Sequence, residues 1–120
     1  MTKAFCRFIE HEGIDEALLC EAIFRAEKGL IDADLGGGVI KQRVARKRQG
    51  KSGGYRTIIF FRRGITAFFV YGFAKSEQGN ISWDELKSFR SLAQKMLALD
   101  DLALTRAMCN RTITEITCHG

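Results

Sequence analysis

The chain has 120 residues, a length that fits one domain spanning residues 1–120 with a hydrophobic core of its own. Its formal net charge of +5 and sequence pI near 9.2 favour partners that carry negative charge. The sequence contains neither the roughly twenty consecutive apolar residues needed to span a bilayer nor the apolar segment of a signal peptide, so we expect a cytoplasmic protein with no membrane partner.

Two helices and then a three-strand meander are predicted in the first part of the chain. Helical periodicity covers residues 3–11 and 15–28, where Asp15 is the expected N-cap and Gly29 the stop. The glycine-rich segment "DADLGGG" should break regular structure before the first strand. Strands are expected at about 38–46, 55–62 and 66–73, and the third is so apolar that it should be a central strand covered on both faces.

The second part of the chain is predicted to contain one well-marked helix and a final strand. Ser82 and Glu85 have the spacing of a capping box, and Ile81 with Leu86 has that of a hydrophobic staple. This helix should run to about residue 98, a further helical turn or two should follow at 101–109, and "RTITEITCH" should form a closing strand. The predicted fold is α+β, with N-terminal helices packed on a small, mainly antiparallel sheet, then a C-terminal helix and the closing strand.

The cysteines give no sign of a metal site. Cys6, Cys20, Cys109 and Cys118 form no CxxC pair and have no histidine at zinc spacing. We therefore expect four reduced thiols, no bound metal and no cofactor.

The most informative feature is a basic window between Leu35 and Ser76. Ten of the nineteen Lys and Arg residues lie there without a single Asp or Glu. Strand alternation should place Lys41 and Arg43 together on one face of the first strand. The second strand should pair beside the first, so we expect Lys41, Arg43 and Arg56 to converge on one concave face of the sheet. A solvated charged face is the alternative, but cations without acidic neighbours indicate a surface for phosphates or an acidic protein.

The centre of the chain resembles a known family. The stretch "KQRVARKRQGKSGGYRTIIFF" is similar to RelE-type toxins of bacterial toxin–antitoxin systems, and the longer pattern "GGGVIKQRVA…GKSGGYR…FVYGFAKSE" resembles the branch often grouped with HigB-like toxins. The resemblance covers about residues 3–98. It implies a toxin of a type II toxin–antitoxin pair that inhibits translation as a ribosome-dependent, metal-independent mRNA endonuclease (an mRNA interferase). Its partners would be the ribosome, mRNA and a cognate antitoxin, expected to be a small helix-turn-helix protein.

The resemblance also implies site residues. The arginine of the G-Y-R motif is Arg56, which would clamp the scissile phosphate, and Lys41 would act as general base or as another phosphate contact. Some HigB-like toxins carry catalytic groups at the end of the chain, where this sequence has His119. The catalytic candidates are Lys41, Arg43, Arg56, Lys75 and His119, and the candidates for RNA binding in the basic loop are Arg46, Lys47, Arg48 and Lys51.

Two departures from the family pattern leave an alternative open. Ser76 stands where a phosphate-binding arginine is expected, and the tyrosine that stacks on a base has no match, since Ser82 or its neighbour Trp83 lies at that position. Trp83 offers a stacking face, although a tryptophan in the first turn of a capped helix more often packs. A ParE-like inhibitor without enzymatic activity, or a basic RNA-binding module that does not cleave, is therefore the second hypothesis.

Overall fold

A computed structural model describes residues 1–45, 54–74 and 80–118. Within these ranges the elements in chain order are α1 (Lys3–Glu12), α2 (Glu16–Glu27), β1 (Ala33–Gly36), β2 (Val39–Val44), β3 (Tyr55–Arg62), β4 (Thr66–Ala74), α3 (Trp83–Met96) and α4 (Asp101–Cys109). None of the helices in these ranges combines the length and hydropathy needed to cross a membrane.

The four strands form one antiparallel sheet between two layers of helices. Their order is β1-β2-β3-β4, so every hydrogen-bonded neighbour is also a neighbour in sequence. One cluster of buried side chains joins α1 and α2 to one sheet face, and a second joins α3 and α4 to the other. The architecture is α+β, as the sequence predicts.

The start of α3 follows the predicted signals. Glu85 N–H donates to the Ser82 hydroxyl (3.1 Å), and the Ser82 N–H donates to the Glu85 carboxylate (2.8 Å), which completes the capping box. Ile81 and Leu86 both pack against the second cluster. The cap and the apolar pair thus fix where this helix begins and which side it turns to the sheet.

The meander strands lie where they are predicted, but β4 is at the edge of the sheet and not at its centre. Its side chains are nevertheless buried on both faces, since Phe69 belongs to the first cluster and Phe68 to the second. The N–H of Thr2 donates to the Phe69 carbonyl (3.1 Å) along the open edge. Cover by two helical layers and by the N-terminal segment explains why an edge strand is this apolar.

The additional strand is β1, which lies in the segment expected to break regular structure. It pairs with β2 through a turn in which Gly36, Gly37 and Gly38 have φ of 84°, 63° and 83°. The predicted closing strand is wrong: in the described residues 111–118 only an isolated bridge between Thr2 and Ile113 occurs. Three adjacent glycines suggest a loop, yet glycine is also the residue that a tight turn with positive φ requires.

The prediction of four reduced thiols is wrong for one pair. Cys20 on α2 and Cys118 in the C-terminal segment form a disulfide, although 98 positions separate them in sequence. Cys6 and Cys109 remain free thiols. The pairing arises because the C-terminal segment returns to α2, and the spacing of cysteines in a sequence does not report such a return.

Candidate functional site

Three basic side chains lie on one face of the sheet, at the end where β2 finishes and β3 begins. Arg43 is the direct cross-strand partner of Arg56, and Lys41 is the partner of Ile58, one step along the same face. Gln42, between the two basic residues of β2, points to the opposite face and is buried. The alternation that the sequence predicts is therefore observed, and we call Lys41, Arg43 and Arg56 the basic face.

The floor of this face is aromatic. Arg56 pairs on its other side with Phe73 of β4, and Ile58 pairs with Tyr71. The rings of Tyr71 and Phe73 lie 5.9 Å apart, and Phe89 of α3 lies 5.6 Å from Tyr71. Because Phe73 is almost fully buried, Arg56 lies beside a packed aromatic surface.

The Arg43 side chain lies against Gly54, the glycine of the G-Y-R motif. A Cβ on Gly54 would lie 3.1 Å from Arg43 Nε and 3.4 Å from the Val44 carbonyl oxygen. The absence of a side chain at Gly54 thus leaves room for the Arg43 side chain beside the strand. The Arg43 carbonyl accepts a hydrogen bond from Arg25 Nη2 of α2 (2.5 Å), which ties this end of β2 to the helix.

An acidic residue that sequence reasoning missed pairs with Arg56. Asp32 Oδ2 lies 3.4 Å from Arg56 Nε, and the side chains are 34% and 17% exposed, respectively. Asp32 lies just before the basic window, so a search within that window finds no acid. The register of the β1–β2 turn, which sequence patterns did not reveal, brings Asp32 to the site.

Trp83 is exposed, so the expectation that it packs is wrong. The residue is 62% accessible at the first turn of α3. Its ring lies 5.7 Å from the guanidinium carbon of Arg90 and 6.0 Å from Lys87 Nζ. This arrangement offers a flat aromatic surface flanked by two cations, a combination that suits an unstacked base with its phosphates.

Arg90 connects that aromatic surface to the sheet. Its Nε donates to the Leu35 carbonyl of β1 (2.9 Å), and its Nη2 donates to the same oxygen. A Cβ on Gly36 would lie 3.4 Å from Arg90 Nη2, and one on Gly37 would lie 3.5 Å from Arg90 Cγ. The glycine turn therefore also makes room for the arginine that holds α3 to β1.

Six candidate residues lie outside the described residues: Arg46, Lys47, Arg48, Lys51, Lys75 and His119. Their assignments rest on the sequence alone. Among residues 1–45, 54–74 and 80–118, His, Cys, Asp and Glu form no group of three or more that could hold a metal ion.

An apolar cavity of about 290 Å³ lies elsewhere in the fold, between α2, the start of β4, α4 and the C-terminal segment. None of the three basic-face residues lines it. The chemistry available at the basic face is instead electrostatic: two guanidinium groups and an ammonium group close together can bind phosphate oxygens and stabilise added negative charge on them.

Comparison with known families identifies one that matches nearly the whole chain. A family model described as the RelE toxin of the RelE/RelB toxin–antitoxin system matches residues 1–116. Searches of curated proteins and of solved structures return no match. Because the family match covers nearly the whole chain, including the strands that carry the basic face and the helix that carries Trp83, this protein belongs to the RelE toxin family, whose members act with an antitoxin partner.

Proposed function

We propose that this toxin is a ribosome-dependent, metal-independent mRNA endonuclease that inhibits translation in the cytoplasm. The observation that carries the proposal is the cross-strand pair Arg43 and Arg56 with Lys41 beside it on one face. The expected reaction is attack of a ribose 2′-hydroxyl on the adjacent phosphorus, with departure of the 5′-oxygen of the next nucleotide.

Each basic residue has a role that its position supports. Arg56 is half-buried, and its planar fork suits two oxygens of the scissile phosphate. Arg43, directly opposite and more exposed, would share the negative charge that builds on those oxygens in the transition state. Lys41 in its ammonium form would serve as a third phosphate contact, and only in its neutral amine form would it accept the 2′-hydroxyl proton.

The remaining candidate residues are proposed to contact other parts of the RNA substrate or to take part in catalysis. Lys75 and His119 are proposed to complete the catalytic set, and Arg46, Lys47, Arg48 and Lys51 to bind RNA phosphates. Trp83 is proposed to stack on a base of the mRNA, supported by its exposure and by the two cations beside its ring. The antitoxin is proposed to be a small helix-turn-helix protein that covers the basic face.

The second candidate is a toxin that binds its target without cleaving RNA, as ParE-like inhibitors do. Two observations favour it: the Asp32 carboxylate already pairs with Arg56, and Ser76 replaces an expected arginine. In this alternative the basic face would be a binding surface for an acidic partner.

The decisive experiment induces the toxin in cells and maps 5′ ends on ribosome-bound mRNA. We expect growth arrest with new cleavage sites inside translated frames, and Arg56→Ala should remove both while the protein stays folded by circular dichroism. Arg63→Ala, which removes an exposed cation from the β3–β4 turn, is the matched control and should arrest growth like the wild type. Arrest with intact mRNA, or arrest unaffected by Arg56→Ala, would contradict the proposal.

Metal independence is tested on isolated ribosome complexes. Cleavage should persist when a chelator removes transition metals but magnesium is kept at the level that ribosomes need. A requirement for added zinc or manganese would exclude a mechanism based only on the basic face.

A further inference from the structure

A buried glutamine and an aspartate connect α2 to Arg56. Gln42 is 1% exposed, on the sheet face that packs against α2. Its Nε2 donates to the carbonyls of Ala22 and Leu30 (both 3.0 Å), and its Oε1 accepts the N–H of Asp32 (3.0 Å). Both donors and the acceptor of this amide are therefore used, which fixes the chain between α2 and β1.

Asp32 connects this fixed segment to the basic face, which lies on the opposite side of the sheet from Gln42. Its backbone binds Gln42, while its carboxylate pairs with Arg56 Nε at 3.4 Å. Because β2 lies between β1 and β3, the Arg56 side chain must cross β2 to reach the segment that precedes β1. Arg56 is thereby laid over the strand that carries Lys41 and Arg43.

The ion pair uses one side of the guanidinium and leaves the other available. A guanidinium has five N–H donors, and contact through Nε occupies its inner edge. The two terminal Nη groups form a separate fork that fits two phosphate oxygens. A carboxylate at Nε thus orients the fork without competing for it.

We propose that Gln42 and Asp32 are positioning residues for Arg56, an inference that rests on the proposed cleavage of RNA. Asp32 holds the guanidinium in one orientation over the basic face, and Gln42 holds Asp32. A carboxylate at this place also repels RNA, so Asp32 weakens binding of the substrate in the ground state. We expect it to stabilise the transition state instead, where the orientation of the Arg56 charge matters most.

The test separates substrate binding from chemistry. Wild type, Asp32→Asn and Asp32→Glu are compared for cleavage of ribosome-bound mRNA, with Glu10→Gln on α1 as a control that removes one exposed negative charge away from the site. For Asp32→Asn we expect kcat to fall by about tenfold or more while KM stays the same or decreases. Asp32→Glu should restore part of kcat, and Glu10→Gln should match the wild type. An unchanged kcat in Asp32→Asn would overturn the proposal and leave Asp32 as a simple repulsive charge.

A second measurement does not depend on cleavage. The exchange of the Arg56 Nε–H with water is followed by nitrogen-resolved NMR, and the signal is assigned by its loss in Arg56→Lys. We expect exchange to be about tenfold faster in Asp32→Asn than in wild type, because a negative charge 3.4 Å from Nε no longer repels the hydroxide that catalyses exchange. Folding of each variant is read from the backbone spectrum of the same sample.

The two arms distinguish the possible failures. A wild-type protein that leaves mRNA intact contradicts the proposed function, and the NMR arm then decides the positioning by itself. Unchanged Nε–H exchange in a folded Asp32→Asn variant overturns the connection between Asp32 and Arg56 whatever the activity. Gln42→Met, of similar shape, removes the oxygen that accepts the Asp32 N–H and should also speed this exchange. A Gln42→Met variant that folds with wild-type exchange would remove Gln42 from the proposal.

Discussion

Arg43 and Arg56 face each other directly across the β2–β3 ladder, with their side chains on the same side of the sheet. Like charges at directly opposite positions destabilise a sheet. The Asp32 carboxylate beside Arg56 offsets part of the repulsion. The close approach of two cations fits a surface that binds an anion.

The first prediction follows from that repulsion. Arg43→Gln should raise the free energy of unfolding by up to about 1 kcal/mol at low salt, and the gain should shrink at high salt as the charges are screened. The same change should weaken RNA binding. Urea unfolding at two ionic strengths provides the measurement.

Arg62→Gln is the matched control for this substitution. Arg62 is an exposed arginine at the end of β3, the strand that also carries Arg56. Its cross-strand partner is Thr66, so no like-charge repulsion is relieved. If Arg43→Gln destabilised the protein more than Arg62→Gln does, repulsion between Arg43 and Arg56 would not be a significant term.

The second prediction concerns Trp83, the single tryptophan of the chain. Trp83→Ala should weaken binding of single-stranded RNA by about 1 to 3 kcal/mol, the usual contribution of one stacked base, and Trp83→Phe should retain much of the affinity. Stability should change little because the residue is 62% exposed. Quenching of the wild-type tryptophan fluorescence by RNA gives a direct test of contact.

Leu102→Ala provides the comparison for Trp83→Ala. Leu102 is a large apolar side chain of similar exposure, 60%, on α4. Its truncation should leave RNA affinity unchanged. Equal losses in both variants would indicate a general effect of surface hydrophobicity instead of stacking.

The third prediction concerns the bond between Cys20 and Cys118. Reduction, or Cys118→Ser, should lower the free energy of unfolding by about 2 to 4 kcal/mol, because the bond closes a long loop in the unfolded chain. Denaturant unfolding with and without a reductant measures the change. Cys109→Ser, at an exposed free thiol, should have no such effect, and neither should a reductant acting on the Cys118→Ser variant.

The fourth prediction concerns the antitoxin. Charge reversal at Arg46, Lys47 and Arg48 should slow association with the antitoxin and flatten the dependence of the association rate on salt, since opposite charge speeds encounter. Stopped-flow mixing over a range of ionic strengths measures both. Reversal at the exposed residues Lys3, Arg7 and Lys28 removes the same number of cations from α1 and the end of α2. An equal effect of the two triple reversals would mean that net charge matters and the basic loop does not.

Local patterns were sufficient for much of the fold and for part of the site. The capping box at Ser82, the three meander strands and the shared face of Lys41 and Arg43 depend on residues close together in sequence, and the structure has each of them. Propensity, helix capping and strand alternation are short-range effects, so a single sequence expresses them.

Contacts between distant segments required the tertiary structure. The pairing of β1 with β2, the edge position of β4 and the disulfide between Cys20 and Cys118 depend on chain reversals that no local pattern specifies. The same reason applies to the exposure of Trp83, because the packing of α3 against the sheet decides which side of the helix faces water.

The candidate site shows the same division. By itself the sequence determined that this protein carries a dense basic window on strands and that Lys41 and Arg43 point the same way. The structure also has Arg56 on that face, as expected from pairing of the two strands. Only the tertiary structure decided that Arg56 lies directly opposite Arg43 and that Asp32 reaches Arg56, because pairing register and side-chain reach across a strand are properties of the assembled sheet.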